Sequence, residues 1–139
     1  MTDKKKVRGI SFNNSYKVVL HTEGHTVISD EPVEEGGSDE GMNPYELISG
    51  SLASCTAITI RMYLERKGWK IEELIVDVDM KSETIDKVTK NIFVRNIIVK
   101  SALDDAQLER VKYIANVCPI SKILETGNNS VITTLEKRK

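Results

Sequence analysis

Apolar positions in this chain follow two different spacings, and the change falls near residue 43. Before it, Val7 to Phe12 and Tyr16 to His21 read as strands joined through Asn13-Asn14-Ser15. Asn accepts the left-handed backbone of a tight turn, so the pair predicts a hairpin. Glu23-Gly24 then turns the chain into a third strand, His25 to Ser29. The stretch from Asp30 to Gly41 is acidic and Gly-rich, with Pro32 and a central Gly36-Gly37, and reads as a mobile, solvent-exposed loop ending by about residue 42.

A long helix follows. Asn43 supplies a cap, Pro44 suits the first helical position, and Glu46 stands three residues after the cap to close a capping box. The helix is expected to run to Lys67, where Gly68 offers a left-handed exit. Leu47, Ile48, Leu52, Cys55, Ile58 and Met62 fall on one stripe. No charge occurs from Leu47 to Ile60 on any face, so this helix needs cover nearly all round. A short chain wraps one helix that fully only with help, which predicts a partner subunit.

Farther on, Val76, Val78 and Met80 alternate with Asp77, Asp79 and Lys81 as in a half-buried strand. A polar turn near Glu83 to Lys90 leads to a second strand, Ile92 to Lys100. Asp104, with Gln107 in the box position, caps a helix whose inner face is Leu108, Val111, Ile114 and Ala115. Pro119 disfavours a helical residue before it, so that helix stops by Cys118. A short helix from Ile120 to Glu125 closes at Gly127, and Val131 to Leu135 reads as a last strand. Neighbouring strands with short links and clustered helices predict an α+β fold with antiparallel sheet. There is no internal repeat.

The 139 residues suit a single domain over 1–139, and 40% hydrophobic with 29% charged residues is the composition of a globular protein. Twenty basic against 21 acidic residues, with 5% aromatics, gives no compositional basis for binding nucleic acid. The uncharged run from Leu47 to Ile60 is shorter than a membrane span requires. Met1 to Lys6 carries charge with no apolar stretch behind it, so no secretory signal is read and a cytoplasmic location is expected. There thiols stay reduced, and two cysteines point to catalysis, metal binding or simple burial before a structural disulfide.

Cys55, in the middle of the uncharged helix, is by default a small buried hydrophobe. Its activity would require a cation, hydrogen bonds or a helix terminus nearby. Cys118 precedes Pro119 and would cap the following helix, where exposed N–H groups favour a thiolate; a plain kink between two helices is the alternative. The two lie sixty-three residues apart without C-x-x-C spacing, and His21 and His25 flank one turn, so neither a zinc quartet nor a Cys–His nucleophile is indicated. Gly36-Gly37 does not form a phosphate loop. No metal or bound cofactor is expected. Arg61, Arg66 and Lys67 suit a helix C-terminus, and Glu46 is explained by its cap.

The segment Asn43-Pro44-Tyr45-Glu46-Leu47-Ile48-Ser49-Gly50-Ser51-Leu52-Ala53-Ser54-Cys55-Thr56, together with Val117-Cys118-Pro119-Ile120 and the strand and turn from His25 to Pro32, resembles the OsmC/Ohr family. With the order of elements, the resemblance covers about residues 16 to 135. It implies antiparallel sheets around two long central helices in an intertwined homodimer, with sites at the subunit interface. In the family's peroxidases the first cysteine reduces organic hydroperoxides and the second resolves the sulfenic acid to a disulfide, which a dithiol reductant reopens. By position these are Cys55 and Cys118, with Glu46 a candidate third catalytic residue. The chain departs from the peroxidase pattern: Tyr45 stands where the family has Glu, Glu46 lies about 100° farther round the helix, and the first hairpin offers Asn13 and Asn14 in place of the family's Arg. Arg8 has no evident place in the site. A thiol peroxidase and a protein binding a small apolar ligand in the interface cleft are thus both compatible with the sequence.

Overall fold

The computed structural model describes residues 6–138. Three short strands, β1 (Arg8–Ser11), β2 (Val18–His21) and β3 (Thr26–Ser29), form an antiparallel sheet in that order. Its register pairs Arg8 with His21 and Val18 with Ser29. The connection between β1 and β2 holds Asn13 and Asn14 at φ +54° and +57°, the left-handed backbone for which Asn is suited.

The acidic loop is more organised than its composition suggests. Asp30 is buried, and its carboxylate accepts hydrogen bonds from the backbone N–H groups of Glu31, Ser38 and Glu40. Burial by itself would raise the Asp30 pKa, but these three donors with Lys17 hold it below the ordinary value. A short 3-10 turn, Val33–Glu35, lies inside the loop. At Gly37 and Gly41 the backbone packs directly on the Glu31 and Ile28 carbonyls, leaving no room for a Cβ atom.

The long helix α1 spans Pro44–Lys67, as its caps predict. Asn43 Oδ1 accepts the Glu46 N–H at 2.8 Å and Glu46 Oε1 accepts the Asn43 N–H at 3.0 Å, so the capping box is complete. Gly68, at φ +68°, makes the exit. Strands β4 (Glu73–Ile85) and β5 (Val88–Lys100) form a long antiparallel hairpin. It turns on Asp86 and Lys87 alone, both at positive φ, rather than on the broad polar turn that the sequence suggests. Lys is an unusual choice at such a site, and cross-strand pairs Ser82–Asn91 and Thr84–Thr89 continue the ladder up to the turn.

Helices α2 (Asp105–Ala115) and α3 (Pro119–Thr126) follow. Asp104 and Gln107 form the expected capping box, and α2 ends three residues before Cys118. Val131 to Leu135 is not a strand: it has no ladder partner among the described residues, and Val131, Ile132 and Leu135 are almost fully exposed. A strand exists only where a neighbour takes its backbone groups, so the pattern alone could not settle that segment.

The chain divides into two compact units. One gathers the described residues through Ser51 with Val78–Val94; the other gathers Leu52–Asp77 with the described residues from Arg95 onward. The core of the second unit is Ile60, Tyr63 and Leu64 of α1 against Val111, Ile114 and Ala115 of α2, flanked by Trp69, Leu74, Ile97 and Val99. The buried side of α1 is thus Leu52, Cys55, Thr56, Ile60, Tyr63 and Leu64, whereas Ile48, Ile58 and Met62 of the predicted stripe stay substantially exposed. By length and mean hydropathy α1 could cross a membrane, but its role in this core and its polar flanks are those of an internal helix. Ile60 is fully buried at the centre of the seam; Ile60→Ala is expected to lower unfolding free energy by about 2–5 kcal/mol, measured by urea titration.

Candidate functional site: a buried cysteine pair

Pro119 sets the geometry around the second cysteine. A residue before proline is driven to extended backbone, and Cys118 accordingly has φ −65° and ψ 138°. That places it as N-cap of α3, with its side chain turned back over the first turn. Its Sγ accepts the Ser121 N–H at 3.3 Å, and the residue has no solvent exposure. A thiol here does the work that Ser or Asp does at other N-caps, in the positive field of the helix end.

Cys55 approaches the same helix end from the middle of α1. It too is buried, and neither cysteine is disulfide-bonded. Cys118, the Ile120 N–H and the Thr59 hydroxyl are its polar neighbours. Burial pushes the Cys55 thiol up from its ordinary pKa. The Ile120 N–H and Thr59 act against that rise, and the neighbouring Cys118 adds to it. The Thr59 hydroxyl is buried without a hydrogen-bond partner among the described residues. Two cysteines sixty-three residues apart in sequence are therefore neighbours at one helix N-terminus.

The pair is bordered by a cation that the sequence did not reveal. Arg95, on β5, donates from Nη1 to Thr56 Oγ1 at 3.0 Å and to Ser121 Oγ at 3.5 Å, and from Nη2 to Asn116 Oδ1 at 2.9 Å. Thr56 Oγ1 in turn lies 3.8 Å from Cys118 Sγ. A signal was present in the alternation of β5. Arg95 shares its strand face with Ile97 and Val99, both packed on the core, and a charge on an inward face needs a polar partner. The spacing could not say which partner.

Glu46 stays at its cap, where its Oε1 accepts the Asn43 N–H. Arg8 lies on β1, where with Lys6, His21, Thr22 and Glu23 it lines a separate shallow pocket. His21 Nδ1 is 3.1 Å from Thr26 Oγ1. Among the described residues no cluster of three His, Cys, Asp or Glu side chains is arranged to hold a metal. A groove of about 580 Å³, lined by Thr59, Met62, Tyr63, Glu65, Arg66, Ile114 and Val117, opens beside the turn of α1 that follows Cys55. Two neighbouring thiols at a helix N-terminus are the groups that thiol–disulfide chemistry uses.

Comparison with known proteins places this arrangement in context. Over 68 residues, 49% of this chain and 43% of the relative, the sequence is 40% identical to the uncharacterized protein YmaD of Bacillus subtilis (strain 168), so the match spans less than half of that protein. The fold is similar to that of an OsmC-like protein from Mycoplasma pneumoniae, with TM-score 0.75, 16% identity, and 90% and 89% of the two chains covered. It is also similar to an organic hydroperoxide resistance protein, OsmC, from Legionella pneumophila, with TM-score 0.65, 18% identity, and 88% and 91% covered. At these identities the likeness concerns fold. The family profile described as OsmC-like protein matches residues 37–134, a stretch that contains both cysteines and the helices that present them, and the chain belongs to that family.

Proposed function

We propose that the protein is a thiol-dependent reductase of organic hydroperoxides, using Cys55 and Cys118 as its redox pair. The observation that carries this reading is that two buried thiols lie near each other at the N-terminus of α3. The naming of the Legionella protein for organic hydroperoxide resistance supports it. In the first step the Cys55 thiolate attacks the O–O bond: an S–O bond forms, the O–O bond breaks, and the alkoxide leaves as an alcohol after taking a proton. Cys55 is then a sulfenic acid. Cys118 attacks that sulfur, an S–S bond forms, and the hydroxyl leaves as water. An external dithiol returns the disulfide to two thiols by exchange. A reduced pair of this kind fits a cytoplasmic protein.

The working unit in this reading is a homodimer. The support is the apolar face of α1 that this chain leaves uncovered, with Ile58 45% and Met62 48% exposed on a helix that otherwise forms core. A second reading, binding of a small apolar ligand, draws on the groove edged by Met62, Ile114 and Val117. Turnover separates the two.

The reduced protein is expected to consume cumene hydroperoxide with dithiothreitol as electron donor. Cys55→Ser should abolish consumption, and Cys118→Ser should leave one oxidation per chain that stops at the sulfenic acid, read by dimedone labelling and mass spectrometry. Consumption no faster than a thiol-free control would leave the binding reading. The pH dependence follows from the environment of Cys55. The attacking form is the thiolate, and a raised thiol pKa makes that form a minor species at neutrality. The rate should therefore climb about tenfold per pH unit between roughly pH 6 and 8, in stopped-flow assays at constant ionic strength. For the dimer, Ile58→Glu with Met62→Glu should halve the mass found by sedimentation equilibrium.

A further inference from the structure

Arg95 carries a full positive charge into the cysteine cluster and meets only neutral oxygens there: Thr56 Oγ1, Asn116 Oδ1 and Ser121 Oγ. No carboxylate lies within ion-pair distance of it among the described residues. A guanidinium cannot shed its proton, so a partly buried one with no anion beside it favours any neighbour able to become negative. The charged and titratable groups gathered here include Arg95 from β5, Cys55 from α1, Cys118 at the head of α3, and Glu125 farther along α3, and Arg95 also shares a groove with Glu109 and Lys112 of α2. Glu125 is tied to Ser121, whose hydroxyl donates to its Oε1 at 3.2 Å.

Thr56 is the link between the guanidinium and the sulfur. Its oxygen accepts from Arg95, and its single proton has two possible destinations: the Leu52 carbonyl at 2.7 Å or Cys118 Sγ at 3.8 Å. When Cys118 is a thiol, its S–H points to Thr56 Oγ1 and the hydroxyl proton goes to Leu52. That arrangement uses both lone pairs and the one proton of the hydroxyl. When the sulfur is negative, the hydroxyl turns its proton to the sulfur while still accepting from Arg95. The cation polarises the O–H bond in the direction that favours the second state.

We infer that Arg95 is a positioning residue whose charge, relayed by the Thr56 hydroxyl, stabilises the anionic form of the Cys118 sulfur. The inference deepens the peroxidase reading and rests on it for its biological use. In the resolving step the Cys118 thiolate attacks the sulfenic sulfur of Cys55, the S–S bond forms as the S–O bond breaks, and the departing hydroxide takes a proton to become water. Arg95 and Thr56 would hold the negative charge until that attack. Arg95 comes from the second hairpin and serves the second cysteine, a different place and target from the arginine that the peroxidases carry in their first hairpin.

The test is stoichiometric alkylation of the reduced full-length protein by iodoacetamide at pH 7, with the rate at Cys118 followed by peptide mass spectrometry and folding checked by circular dichroism. Arg95→Met is expected to slow modification of Cys118 about tenfold, and Arg95→Lys to restore much of the rate by returning a cation. A purely structural role moves the rate the other way, because loosening the site exposes a sulfur that is fully buried in the intact chain. Thr56→Val keeps Arg95 and nearly the same shape while removing the relay, and should slow Cys118 as well; it carries the test even where loss of the guanidinium unfolds the protein. A wild-type or faster rate at Cys118 in folded Arg95→Met, or in Thr56→Val, overturns the inference. Because no hydroperoxide is used, slowed alkylation in a protein that fails to turn over hydroperoxide removes the peroxidase reading and leaves the Arg95 relay standing. Turnover with unaltered alkylation removes the relay alone.

Discussion

The proximity of two thiols from distant parts of the chain depends on the seam between α1 and α2. Ile60, Tyr63 and Leu64 close on Val111, Ile114 and Ala115, and these residues lie between the two cysteines in sequence. Cys55 stands five residues before Ile60 and Cys118 three residues after Ala115. Neither cysteine has conformational freedom to spare. One is fixed by the helix that carries it, the other by the proline that follows it. Apolar packing therefore sets where the two thiols lie, although neither belongs to the packed cluster.

The same site shows how one helix end treats two identical side chains differently. Both sulfurs meet N–H groups from the first turn of α3, Cys118 through Ser121 and Cys55 through Ile120. Cys118 also has Thr56, and behind it the guanidinium of Arg95. Cys55 has Thr59, a neutral hydroxyl, and burial prevails there. Two groups of the same chemistry thus have unequal surroundings, as paired carboxylates do elsewhere.

Much of the local structure was legible because its determinants are local. The capping boxes at Asn43–Glu46 and Asp104–Gln107 each need only four adjacent residues, and Gly68 and Gly127 mark helix ends through their own backbone freedom. Expectations failed where a feature depends on something remote. The loop after Asp30 has the composition of a mobile segment, yet one buried carboxylate ties its backbone together. Val131 to Leu135 alternates like a strand but finds no edge to join among the described residues. The stripe on α1 was read as the buried face, whereas the residues that meet α2 lie partly to its side.

The candidate site divides in the same way. The sequence by itself determined the elements, the cap position of Cys118 before Pro119, the central place of Cys55 on an uncharged helix, and the family likeness carried by those two motifs. These follow from backbone preferences and from neighbours within a few residues. Only the tertiary structure decided that the two cysteines are neighbours and that Arg95 reaches Thr56, whose hydroxyl lies against the Cys118 sulfur. The reason is that a hydrogen bond between side chains thirty-nine residues apart leaves no periodic trace in the chain: alternation tells which way Arg95 points, and packing alone chooses what it meets.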